Sequence, residues 1–213
     1  RRAAVVFVHG LWMMNLNTLL LLRRRVRAEF GFDCVGFRYS AHASNPAQIV
    51  ARLAAFIDGL GVDELHLVGH SLGGLIVMRY LAEARTVPPG RAVLLAAPVV
   101  RSRAAQSLAK STLGRALLGT AGVEELVVEQ RRSWQGDREI GCIAGNARFG
   151  LGHVIGRIEE ENDGSVAVAE TRLSGARDHI VLPVSHSGML FSREVARQVG
   201  HFLTHGTFAR SEP

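Results

Sequence analysis

The chain has 213 residues (23.1 kDa), 47% of them hydrophobic and 21% charged, with 23 glycines and 6 prolines. That suits one soluble globular domain and excludes disordered, collagenous or low-complexity architecture. A net charge of +6 and a pI near 10.5 would admit an anionic partner, but the arginines are spread from Arg1 to Arg210 and aromatics make up only 6%, so no nucleic-acid binding is expected. Ala3 to Val8 is a continuous apolar run rich in β-branched residues and closed by His9-Gly10, the pattern of a strand buried on both faces. Asn15 or Asn17 then caps a helix through about Glu29, whose Leu19, Leu20, Leu22 and Val26 recur at helical spacing. The apolar run Leu19 to Leu22 stops at Arg23-Arg24-Arg25, far short of a bilayer span, and no transmembrane helix fits.

A second strand is expected at Cys34 to Tyr39, then a helix from Asn45-Pro46 with Ile49, Val50, Leu53, Ile57 and Leu60 on one face and Gly61 as its stop. Leu65 to Val68 is the third strand, the segment after Ser71 a helix, and Val93 to Ala96 the fourth strand, ending at Pro98. Strands separated by amphipathic helical segments need crossovers, and right-handed crossovers give a doubly wound α/β domain: a mostly parallel sheet with helices on both faces. Residues 102–135 read as an irregular helical excursion, broken at Gly114, Gly119 and Gly122, that could form a small lid. Ile140 to Ala144 is a fifth strand, Asn146 to Glu161 a long loop, Leu173 to Val184 a weaker last strand region, and Arg193 to His205 the closing helix. Val166 to Ala169 reads equally as strand or helix, and neither a linker nor a second domain is expected.

Cys34 and Cys142 lie in strand-like segments with neither metal-binding spacing nor a nucleophile turn, so they are expected to be buried free thiols and to favour a reducing, cytoplasmic compartment. The chain begins at Arg1-Arg2 without an initiator Met, so any targeting segment is expected to have been removed or never to have existed.

The chemistry centres on Gly69-His70-Ser71-Leu72-Gly73 between a strand and a helix. A serine there occupies a sharp, strained turn; the flanking glycines remove side chains that would clash, and the hydroxyl rises above the sheet. The competing reading makes Ser71 a helix cap. With Gly74 following and the early His9-Gly10 after the first strand, the sequence resembles the α/β-hydrolases, and among them the compact bacterial lipases and esterases. The resemblance covers most of the chain and implies a serine nucleophile, an acid and a histidine in that order.

His186, in Pro183-Val184-Ser185-His186-Ser187-Gly188-Met189-Leu190, matches the family's histidine loop and is expected to be the general base. His179 comes too early, His201 and His205 belong to the terminal helix, and His42, His66 and His153 are expected at the surface. Asn162-Asp163-Gly164-Ser165-Val166 resembles the acid loop of the same lipases, making Asp163 the acid that fixes the histidine tautomer, against the alternative that Asp163-Gly164 is only a turn. Asp178 is the competing acid and Asp137 a weaker one. The turn geometry supplies one oxyanion-hole donor from the N–H of Leu72, and the resemblance places the second at Leu11, with His9 supporting; Trp12, Met13 and Met14 then line the acyl pocket or belong equally to the core.

The expected activity is hydrolysis of carboxylic esters with short to medium acyl chains through an acyl-enzyme, without metal or cofactor, on a small-molecule or lipid ester. An interface-acting lipase that touches membrane surfaces, a thioesterase or acyltransferase with the same residues, and a non-catalytic binding protein are the alternatives.

Overall fold

Alternation within the strands sorts side chains between two cores. In β1 (Ala3–Val8), Val5 and Phe7 join Leu22 and Val26 of α1 (Asn17–Phe30) and Val195, Val199 and Phe202 of α6 (Arg193–His205), whereas Val6 and Val8 join Ile49 and Leu53 of α2 (Pro46–Leu60) and Leu75 and Ile76 of α3 (Leu72–Glu83). A period of two with both sets apolar demands cover on both faces. The computed structural model describes residues 2–11, 17–128, 131–148 and 159–210 and meets that demand: α1 and α6 cover one face, α2 and α3 the other.

The sheet adds β2 (Cys34–Phe37), β3 (Glu64–His70), β4 (Ala92–Leu95), β5 (Ile140–Gly145) and β6 (Asp178–Leu182) in the order β2-β1-β3-β4-β5-β6, every pair parallel. The chain leaves β1 toward β2 and then returns past it to β3, so the connections after β1 and β3 diverge. A parallel sheet opens a crevice at such a switch point, beyond the carboxyl ends of the strands.

Local chemistry sets several boundaries. Asn45 and Gln48 form a reciprocal capping box ahead of Pro46, and Gly61 closes α2 in the left-handed region (φ 57°). β2 ends at Phe37, two residues before Tyr39, and the last strand is confined to Asp178–Leu182. Val168–Thr171 is a single 3₁₀ turn, which resolves the segment whose pattern fitted strand or helix.

The excursion holds α4 (Arg103–Leu108), α5 (Thr112–Gly122) and a π-helical turn at Val123–Val127. The helix breaks at Gly119 (φ 66°, ψ 179°) but runs through Gly114. A Cβ on Gly114 would stand 1.9 Å from the Leu108 carbonyl oxygen, so that glycine serves close packing rather than termination. The excursion is tied down at several points: Ala121 N–H donates to the Ala41 carbonyl (3.0 Å), Thr120 Oγ1 donates to the His42 carbonyl (3.2 Å), and the Glu170 carboxylate accepts from Arg103 N–H (2.9 Å). Within the π-helical turn, buried Glu125 joins Arg79 of α3 (2.8 Å) and Arg132 (2.6 Å).

Both cysteines are buried free thiols, and burial pushes Cys34 up to about 11 and Cys142 up to about 12, so neither is a thiolate at neutral pH. Among the described residues no helix is long and apolar enough to cross a membrane. One histidine departs from expectation: His66 is 2% exposed. It lies within β3 between the two neighbouring strands, where its Nδ1 accepts the Arg91 N–H (3.0 Å), and burial lowers its pKa.

Candidate active site

Ser71 stands where β3 passes into α3, with φ 53° and ψ −123°. A non-glycine residue held there stores of order 1–3 kcal/mol of strain. Gly69 and Gly73 make the turn feasible, because a Cβ on Gly73 would stand 2.2 Å from the Val8 carbonyl oxygen and one on Gly69 would stand 2.6 Å from that of Gly73. Gly74 lies against Ala97, whose Cβ would be 2.5 Å from a Cβ placed on it. The chain's ordinary capping serines provide a contrast. Ser102, Ser111 and Ser192, in extended backbone, each accept a hydrogen bond from an N–H of the helix that follows, whereas the Ser71 side chain makes no cap hydrogen bond. Helix capping therefore does not account for this serine.

Asp163 and His186 follow β5 and β6 and meet at the same edge of the sheet. The Asp163 carboxylate is fully buried. Its Oδ1 accepts the N–H groups of Ser165 (2.9 Å) and Val166 (2.7 Å), and its Oδ2 lies 2.8 Å from His186 Nδ1. One oxygen of Asp163 thus builds the turn, and the other faces the histidine. A carboxylate oxygen accepts, so Nδ1 carries the proton and His186 Nε2 is left as the basic nitrogen. The backbones are joined as well, the His186 N–H donating to the Asp163 carbonyl (2.9 Å). Gly145 admits this approach, since a Cβ there would stand 2.9 Å from Asp163 Cβ and 2.3 Å from the Val184 carbonyl oxygen.

His9 and Tyr39 shape the turn after β1. His9 Nδ1 lies 2.8 Å from the Gly10 carbonyl and Nε2 accepts the Tyr39 N–H (3.3 Å), so the ring is a neutral imidazole protonated on Nδ1. Burial lowers its pKa in spite of both contacts. The Tyr39 hydroxyl donates to the His9 carbonyl (2.7 Å), and the two rings stack at 4.3 Å. Gly10 is thereby held against the turn at Ser71, where a Cβ on it would be 3.0 Å from Ser71 Cβ. Leu11 follows in the turn and packs beneath α5, at 3.2 Å from a Cβ placed on Gly122. Leu72 opens α3, where backbone N–H groups have no intrahelical acceptor. Trp12 and Met13, expected along the acyl pocket, lie outside the described residues, as do Met14 and His153.

The alternative acids sit elsewhere. Asp178 begins β6, paired with Gly141 at the amino edge, and its carboxylate accepts from Arg210 (2.9 and 2.5 Å) and from the Phe208 N–H (2.9 Å). Partial burial raises this carboxyl, but those donors outweigh it and hold the group below its usual range. Asp137 is exposed before β5. His179 lies within β6, its Nε2 2.9 Å from Thr171 Oγ1, and His201 and His205 lie in α6.

Sequence reasoning passed over Tyr39, His70 and Glu170. The signal for His70 was available: the strand period places it with Val68, on the face that α6 covers and the His186 loop borders. Nothing local marks Tyr39, whose hydroxyl partner is 30 residues away, and Glu170 binds the nearby Ala167 N–H (3.0 Å) with one oxygen but reaches Arg103, 67 residues away, with the other.

Comparison with known proteins bears on the same residues. The model of the alpha/beta hydrolase family matches residues 5–150, which include the turn at Ser71. No curated protein matches. Among solved structures, a Bacillus licheniformis lipase, BlEst2 in mature form, superposes with a TM-score of 0.72 at 19% identity, over 95% of this chain and 91% of that one. An esterase from Exiguobacterium antarcticum gives 0.64 at 15% identity over 96% and 92%, and the carboxylesterase CesB from Bacillus subtilis gives 0.59 at 13% over 96% and 84%. At these identities the likeness is one of fold.

Proposed function

We propose that this chain, which belongs to the α/β-hydrolase family, hydrolyses carboxylic esters with Ser71 as nucleophile, His186 as general base and Asp163 as the acid that orients it. The observation that carries the reading is the 2.8 Å contact between His186 Nδ1 and the buried Asp163 carboxylate, at the edge of the sheet where Ser71 stands in an elbow that caps nothing. His186 Nε2 takes the Ser71 proton as Oγ attacks the ester carbonyl, and Asp163 stabilises the resulting imidazolium. The N–H groups of Leu72 and Leu11 receive the oxyanion. His186 then returns its proton to the leaving alcohol, and water attacks the acyl-enzyme by the same steps.

Among the described residues the helical excursion after β4 is short, about thirty residues, and a small cover of this kind suits short to medium acyl chains. A lipid interface as the place of action is favoured by a separate observation. Leu113 on α5 is 72% exposed, and residues 99–123 contain Arg101, Arg103, Lys110 and Arg115 but no acidic residue. Intact mass and peptide mapping after fluorophosphonate treatment test the proposal: one adduct on Ser71, absent from Ser71→Ala, is expected. Folded protein that takes no label would refute it. A p-nitrophenyl ester series, read below and above the solubility limit of each ester, then separates a soluble esterase from an interface-acting one.

A further inference from the structure

We infer that His70 is a positioning residue of this site, holding the backbone carbonyl of His186 through its own Nε2–H so that the base is fixed on both sides of its peptide. The inference rests on the reading of Ser71, Asp163 and His186 as the reacting centre. His70 is 2% exposed, and its Nε2 lies 3.1 Å from the His186 carbonyl oxygen. A carbonyl offers only lone pairs, so the imidazole donates there and its proton resides on Nε2. The other nitrogen is then a bare acceptor, and it is buried with no hydrogen-bond partner among the described residues. It faces the turn after β1: a Cβ on Gly10 would stand 3.0 Å from His70 Nδ1 and 3.0 Å from Ser71 Cβ. The ring thus lies between the two loops, with its centroid 4.7 Å from that of His186.

An orphaned buried acceptor is a standing cost that a leucine or phenylalanine would not incur. What hydrocarbon could not supply is the donor on the opposite nitrogen. His186 has its N–H bonded to the Asp163 carbonyl (2.9 Å) and its ring bonded to the Asp163 carboxylate (2.8 Å), and both restraints come from the same loop. The bond from His70 restrains the carbonyl side, and it comes from the residue adjoining the nucleophile. Base and nucleophile are therefore referenced to a common point in β3. Burial, followed by the nearness of His186, pushes the His70 pKa well below its ordinary value, so the ring stays neutral and places no cation beside the imidazolium that forms in turnover.

The test compares His70→Leu, which fills the space without a donor, with His70→Gln, whose amide N–H reaches about as far. Turnover of p-nitrophenyl butyrate is normalised to sites titrated with fluorophosphonate. For His70→Leu we expect kcat to fall about 10- to 30-fold with KM within about twofold, because misplacing a base by a fraction of an ångström acts on the chemical step. His70→Gln should recover to within about threefold of the parent. The downfield Nδ1–H resonance of His186 should broaden in the leucine variant and persist in the glutamine one. If His70→Leu does not fold, His70→Asn takes its place as a donor too short to reach and should show the same loss. Titrated kcat within twofold of the parent in the variant lacking a reaching donor, or equal losses in both variants, would overturn the inference. A parent protein that takes no fluorophosphonate would instead refute the hydrolase reading on which the inference rests.

Discussion

Replacing Asp163 by asparagine removes one charge while leaving the shape of the acid loop in place. The carboxylate has two separate tasks: Oδ1 receives two backbone N–H groups at 2.9 and 2.7 Å, and Oδ2 faces His186 Nδ1 at 2.8 Å. An asparagine amide has one acceptor and one donor end. Two backbone donors require the acceptor, so the NH2 is turned toward His186. The ring must then present a bare Nδ1, which moves its proton to Nε2, the nitrogen that receives the proton of Ser71 in the proposed mechanism. A wrong tautomer of this kind lowers kcat by about 10⁴, or about 5 kcal/mol in the barrier. Stability should change far less. All three contacts persist in neutral form, and weakening charge-assisted bonds costs about 1–2 kcal/mol, a fall in melting temperature of a few degrees for a chain this size. The assay pairs p-nitrophenyl butyrate turnover with thermal unfolding, and Asp178→Asn is the control, since that carboxylate is engaged with Arg210 at the opposite edge of the sheet. Retention of more than about a tenth of kcat by Asp163→Asn, or a greater loss in Asp178→Asn, would refute the reasoning.

Ser71→Gly should abolish turnover and raise the melting temperature by about 2–6 °C, because glycine adopts φ 53° without the strain that serine bears; calorimetry showing no rise would place that strain elsewhere. His9, His66, His70 and His179 all have pKa values lowered by burial, so the unfolded chain takes up protons that the folded one refuses. Their contribution is intact above the ordinary histidine pKa of 6.5 and is lost as pH falls below it, at up to about 1.4 kcal/mol per pH unit for each ring. Glu170, raised by burial, acts in the opposite sense as a single group, so the melting temperature should drop between pH 7 and pH 5; a flat profile there would contradict the assignment of these rings as neutral. Glu125→Ala should destabilise by about 2–4 kcal/mol, measured by urea denaturation, because it strips Arg79 and Arg132 of their shared buried carboxylate; a loss below about 0.5 kcal/mol would mean that the π-helical turn stands without it.

Most of the fold was legible because its determinants are local. The apolar runs of β1, β3, β4 and β5 are bounded by glycine, proline or charge, and α2 carries its own cap and stop in Asn45, Pro46 and Gly61. The elements misjudged are those whose boundaries depend on distant partners. β6 was drawn too long because the polar Asp178 and His179 belong to the strand, while Leu173 to Arg177 precede it and are held by contacts such as the Arg177 N–H to the Ile140 carbonyl (2.7 Å). Gly114 was taken as a break because a glycine in a helical run has two uses, and the Leu108 carbonyl that selects close packing is visible only in three dimensions. His66 was assigned to the surface because one histidine in an apolar strand carries no sign of its cover.

The candidate site divides along the same line. The turn at Ser71 is a five-residue pattern whose geometry follows from its own glycines, so its place between strand and helix could be read directly, whereas the meeting of Asp163 and His186 could be anticipated only through resemblance to a family, since nothing local joins residues 23 apart in sequence. What joins them is the sheet: parallel neighbours β5 and β6 release their loops at one edge, and Gly145 lets those loops touch. Tyr39 under the first turn, His70 beside Ser71 and Glu170 before α4 were not singled out in the sequence, because the contact that gives each its place is to a backbone group far along the chain, even for His70, which lies inside the 69–73 motif. A site of this construction specifies its reacting atoms in short patterns and its rigidity in long-range contacts. Substitutions at Tyr39, His70 or Glu170 should therefore act on rate or stability without altering which atoms react.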